Sequence, residues 1–163
     1  MIKNFFNKKS VVVCFIFYIL ITFFIFASSL TNGKESGEQS AFVWSIISSV
    51  FNIKGDYEFF IRKALGHFSS FFVLAIFATV VYYRVAELSF KNRRNLYFVV
   101  ITLLAGALTA VIAEVFQLPI FVSGRSASAV DMLIDFSGYF LGFLVANFIR
   151  FIIYRKGKDL PVV

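Results

Sequence analysis

Four short residue series in this chain have types and spacings suited to chemistry: Arg62-Lys63-x-x-x-His67, Glu114-x-x-Gln117, Gly124-Arg125-Ser126 and Asp131-x-x-x-Asp135. Lys63 and the sole histidine, His67, are four apart and share a helix face, with His67 about 6 Å further along the axis. Glu114 and Gln117 are three apart and share a face with Gly106, Ala110 and Ala113, small residues that let another helix come close. Asp135 is followed by Gly138 and Gly142, a GxxxG pair that would press it against neighbours. Gly124 permits a sharp turn. Around it Ser123, Ser126 and Ser128 bring hydroxyls and amides, and Arg125 brings a guanidinium fork, so the loop suits an anion at a helix N-terminus.

Three chemistries follow from these types. Arg62, Lys63 and Arg125 could hold a phosphate. Glu114, Asp131 and Asp135, with His67 and the Gln117 amide nearby, could hold a divalent metal, although no HExxH series is present. His67 could also act as a general acid or base. Spacing does not choose among them. Plainer roles stand beside each: snorkelling anchors for Arg62 and Lys63, a hydrogen-bonded packing residue for His67, and a helix-dipole partner for Asp131. Arg125 could pair with Glu114 or Asp131 to neutralise the cluster.

The elements that must position these groups are membrane helices. Of 163 residues 60% are hydrophobic and only 15% charged, and the mean hydropathy is +0.84. Soluble domains carry roughly 45–50% apolar and about 25% charged residues, and disorder needs low hydrophobicity, so both classes are excluded. The single cysteine, Cys14, excludes a disulfide framework and reads as a buried thiol. Four stretches meet the requirement of about 20 apolar residues: 11–30, 64–83, 96–116 and 132–154. The first has a basic start like a signal peptide, but its apolar core is too long and it reads as a retained helix. The expected fold is all-α, a four-transmembrane-helix bundle.

Basic residues set the orientation. Eleven of the 16 Lys and Arg lie before the first span, between the second and third, and at the end of the fourth, where Arg150 can carry its guanidinium to the interface. Both termini are therefore expected inside. The net charge of +7 then reports loops meeting anionic lipid, not nucleic acid. In this orientation Arg62, Lys63, His67, Glu114, Gln117, Arg125, Asp131 and Asp135 all meet at the outer surface. The first outer loop, 31–61, carries Phe42, Val43, Trp44, Ile46, Ile47, Val50 and Phe51 at helical spacing. It reads either as an interfacial helix with Trp44 at headgroup level or as a plug across the bundle top.

RKALGHFSSFFVL, AEVFQLPIFVSGRSASAVDMLIDFSGYFLG and the FASSL ending the first span resemble the VanZ-like family, which is named for a teicoplanin-resistance protein. The likeness covers most of the chain, and residues 1–163 read as one integral membrane domain. The family often has an acid just before the glutamate and a histidine just before the glutamine. Here Ala113 and Phe116 fill those slots, so only a site needing Glu114 and Gln117 from this helix carries over. The resemblance implies low-level resistance to lipoglycopeptides such as teicoplanin in Gram-positive bacteria, and no established reaction. The expectation is a multi-pass plasma-membrane protein whose outward pocket binds or remodels a lipid head group, a lipid-linked wall precursor or the drug's lipid anchor. An enzyme of lipid-linked phosphates or glycans is the alternative. A small multidrug exporter is disfavoured, because the middles of all four spans lack acids.

Overall fold

The computed structural model describes residues 8–52, 62–89 and 94–158. These residues form five α-helices: α1 (Lys8–Ser29), α2 (Gly33–Phe51), α3 (Ser69–Ser89), α4 (Arg94–Val115) and α5 (Ala129–Lys158). A π-helical segment, Arg62–Phe68, runs directly into α3. Among the described residues there is no strand. Four helical stretches are long and apolar enough to cross a membrane: Lys9–Ser29, Leu65–Ser89, Asn95–Val115 and Ala129–Ile153. The chain is a multi-pass membrane protein built as a four-helix bundle, as its hydropathy requires.

Two spans differ from the hydropathy reading at their ends. The second continues to Ser89, past the expected end at Tyr83, because Arg84 and Glu87 pair with each other along the helix surface and their charges do not break it. The fourth begins at Ala129, where the Ser128 hydroxyl accepts the Asp131 amide at 3.3 Å and caps the helix. At 30 residues α5 is about 45 Å long and outreaches a hydrocarbon core of about 30 Å.

α3 sits at the centre, packed on α1, α4 and α5. Its buried face (Phe71, Leu74, Ala75, Ala78) meets Phe98, Ala110 and Ala113 of α4 and Tyr139 and Phe143 of α5. Small residues set the helix spacing. A Cβ at Gly138 would collide with the Phe68 backbone carbonyl, and one at Gly142 with the Phe72 carbonyl and the Ala75 Cβ. Gly106 leaves room for the Tyr139 ring. The expected close-packing faces of the third and fourth spans are thus both used.

Contacts fix which ends lie together. Phe26 meets Phe116, and Arg125 reaches the carbonyls of Ser28 and Ser29. The end of α1, the end of α4 and the start of α5 therefore share one end of the bundle. At the other, the Arg150 guanidinium lies 4.4 Å from the Tyr83 ring centroid and 5.1 Å from that of Phe98. That half-buried cation is held by two aromatic faces, which adds a specific contact to the expected reach toward the interface.

α2 spans the region expected as an outer loop. Asn32 caps it by accepting the Glu35 amide at 2.9 Å, and Asn52 ends it in the left-handed conformation (φ 50°). Ser36 and Ser40, one turn apart, turn inward, while Phe42, Ile46, Val50 and Phe51 are exposed. The helix thus turns a narrow polar edge toward the loop before α5, where Ser36 accepts from Arg125, and presents its apolar side outward.

Candidate functional site

The polar residues that hydropathy places at span ends converge here on a cavity of about 300 Å³. His67 comes from the π-helical segment, Gln117 from the turn after α4, Arg125 from the loop before α5, and Asp135 from α5. Ser28 and Ser29 at the end of α1, Ser36, Gln39 and Ser40 of α2, and Ser70 of α3 complete the polar lining. Phe24, Ile25, Val43, Leu65 and Phe71 supply apolar wall.

His67 Nδ1 lies 3.0 Å from Asp135 Oδ1. The ring is 14% exposed and the carboxylate 0%. Donation of Nδ1–H to the carboxylate orients the imidazole and leaves Nε2 as the second functional nitrogen. The π-helical turn matters here, because i to i+5 bonding widens the helix just where His67 must meet α5. Such turns are rare and concentrate at functional sites.

Glu114 is 2% exposed, an acid turned away from the lipid-facing surface, as intramembrane acids normally are. Its two oxygens are both engaged: Oε1 accepts from Gln117 Nε2 at 2.9 Å, and Oε2 from the Ser128 amide at 2.7 Å. The second bond takes up the backbone N–H of the residue that caps α5, so one carboxylate ties α4 to α5. His67, Glu114 and Asp135 each offer a ligand atom, and these atoms lie within 4.8 Å of one another.

Arg125 donates to Ser28 O at 2.9 Å, Ser29 O at 3.2 Å and Ser36 Oγ at 3.0 Å. One guanidinium therefore joins the carbonyl end of α1 to the first turns of α2. Beside it Gly124 adopts φ +72°. Its carbonyl packs so tightly on Gly33 that a Cβ there would collide with it, and the Gly33 amide donates to Ser123 O at 3.1 Å. Arg125→Lys is expected to loosen this clamp, because an ammonium cannot reproduce the fork. Losing one charge-assisted bond, about 1.5 kcal/mol, should speed amide exchange in α2 about tenfold, measured by hydrogen–deuterium exchange in detergent.

The expected site residues are thus mostly gathered but not all alike. His67, Gln117, Arg125 and Asp135 line the cavity, and Glu114 stands directly behind Gln117. Asp131 is buried one turn away in the first turn of α5 and does not line the cavity; Ser126 is exposed. Gly124 acts through the backbone. The side chains of Arg62 and Lys63 lie outside the described residues. The serines of α1 and α2 were not among the expected site residues. A sequence signal existed for them in the adjacent Ser28-Ser29 pair and in Ser36 and Ser40 at i, i+4.

No curated protein and no solved structure matches the chain. A family model described as VanZ/LLP1 matches residues 13–150, a stretch that includes all five helices in large part and every residue of the cavity. The chain therefore belongs to the VanZ/LLP1 family.

Proposed function

We propose that the cavity opens at the outer leaflet of the plasma membrane and holds the polar head of a membrane lipid or of a lipid-linked wall precursor, lowering the access of lipoglycopeptides such as teicoplanin to their target. The observation that carries this reading is the joint lining of the cavity. Apolar side chains (Phe24, Ile25, Leu65, Phe71) face a polar set of His67, Gln117, Arg125 and Asp135, which is the amphipathic environment a lipid head and its first methylenes require. A volume of about 300 Å³ falls at the lower bound for small-molecule pockets, enough for a head group. The positive-inside distribution of Lys and Arg supports an outward-facing site, and VanZ/LLP1 membership supports a role in a Gram-positive cell envelope.

A second reading, an enzyme of lipid-linked phosphates or glycans, is favoured by one observation: the His67–Asp135 hydrogen bond orients an imidazole as general bases are oriented. One experiment addresses both. The chain is expressed in a susceptible Gram-positive host, and teicoplanin susceptibility is measured together with outer-leaflet lipids and wall precursors. The binding reading expects reduced susceptibility and reduced drug adsorption with an unchanged lipid and precursor profile, both lost in Asp135→Asn at equal protein level. A new or missing lipid species would replace it with the enzyme reading. Unchanged susceptibility would overturn the resistance role.

A further inference from the structure

We infer that His67, Glu114 and Asp135 bind one divalent transition-metal ion of the Zn²⁺ class, with an open coordination position facing the cavity. The three donors come from three different elements: the π-helical segment, α4 and α5. Metal–ligand bonds of about 2.0–2.2 Å place two ligands of one ion about 3.0–3.5 Å apart. His67 Nδ1 and Asp135 Oδ1 already stand 3.0 Å apart, and the full set lies within 4.8 Å, so a small side-chain adjustment closes it.

Two features separate this group from a chance meeting of acids. Glu114 is oriented from outside by Gln117 Nε2 and the Ser128 amide, the kind of outer-shell support that metal-ligating carboxylates carry. The cavity also lies on the His67–Asp135 side, which leaves room for a water or a substrate oxygen as fourth ligand. Three protein ligands plus an open position is the pattern of catalytic zinc centres, whereas structural ones are closed. The donor set narrows the metal. An imidazole beside two carboxylates suits Zn²⁺ or its neighbours better than Mg²⁺ or Ca²⁺, which prefer oxygen alone, and the absence of a thiolate among the three disfavours Cu⁺. Two acids exposed by 2% and 0% inside an apolar bundle gain a counter-charge from the ion. On binding, Nδ1 gives up its hydrogen and coordinates through its lone pair while Nε2 takes up a proton and carries the ring's N–H, so that His67 ligates as a neutral imidazole.

The inference stands apart from the resistance reading, because it is tested on purified protein without drug or lipid substrate. Full-length protein in detergent is stripped with chelator and titrated with CoCl₂, then with ZnCl₂ and MgCl₂. The expected result is one Co²⁺ per chain with visible absorption bands, displaced by Zn²⁺ and not by Mg²⁺. His67→Ala and Asp135→Asn lose the bands, and Gln117→Ala, which leaves all three ligands in place, weakens binding about 10–100-fold. Absence of Co²⁺ and Zn²⁺ binding by the wild type, with helix content intact by circular dichroism, overturns the site. So does wild-type affinity in both ligand variants. Should either ligand variant fail to fold, the stoichiometry of the wild type and the affinity of Gln117→Ala decide.

Discussion

His67→Ala is expected to destabilise the protein more than Asp135→Asn, although Asp135 is the more deeply buried of the two. Removing the ring leaves a carboxylate at 0% exposure without the group that Nδ1 provides 3.0 Å away. Removing the donor of a hydrogen bond to a buried carboxylate costs about 1.5–3 kcal/mol, since the acceptor keeps its desolvation penalty. Asp135→Asn removes that charge, preserves the shape and keeps an oxygen able to accept Nδ1–H. Its cost should stay near that of one neutral hydrogen bond, about 0.5–1.5 kcal/mol. Unfolding in mixed micelles with increasing denaturing detergent measures the order. If Asp135→Asn proves the worse, His67 does not compensate Asp135, and the pair is not the electrostatic centre of the site.

Gly138→Leu is expected to remove the site together with the helix packing that makes it. The GxxxG face of α5 seats directly on backbone: Gly138 on the Phe68 carbonyl, Gly142 on the Phe72 carbonyl. Peptide carbonyls cannot rotate aside as a flexible side chain can, so α5 must lift away from α3. Overpacking costs about 1–3 kcal/mol where neighbours can adjust, and backbone contact puts this substitution at or above that upper figure. Asp135 lies one turn along α5 from Gly138, so the lift also separates Asp135 from His67. Gly37→Ala serves as the control: nothing lies within 4 Å of its added methyl, and the change should be neutral or stabilise α2 by up to about 1 kcal/mol. Thermal unfolding of purified protein, read by circular dichroism, distinguishes the two.

The spans were legible because burial in lipid leaves so blunt a mark on composition, and the third was placed to within one residue at each end (96–116 against Asn95–Val115). The convergence of His67, Glu114, Gln117, Arg125 and Asp135 was legible for a related reason: polar groups within apolar runs at matching depth have few places to go but toward each other. What the sequence hid has physical causes as well. Arg125 binds main-chain carbonyls at the end of α1, and a carbonyl carries no residue identity to read. Asp131 and Asp135 share a helix face, yet the first belongs to the capped turn and the second to the cavity, a division set by where α5 begins. Tyr18 and Tyr82 hydrogen-bond at 3.0 Å across 64 residues of chain, half-buried between α1 and α3, with no local pattern to announce it. The π-helical segment is equally silent, since seven residues are too few for a hydrophobic period to tell five-residue bonding from four.

That segment also sets the phase of the second span. In an α-helix each residue advances about 100° around the axis, so every side chain's bearing is dictated by the packing stripe below it. The wider turn at Arg62–Phe68 breaks this bookkeeping just before Phe71, Leu74, Ala75 and Ala78 lock α3 into the core. His67 is aimed by this local winding together with its hydrogen bond to Asp135. Deleting a single residue there would rewind the turn to α-helix and swing the imidazole about a quarter of a circle away from α5, leaving the transmembrane core undisturbed.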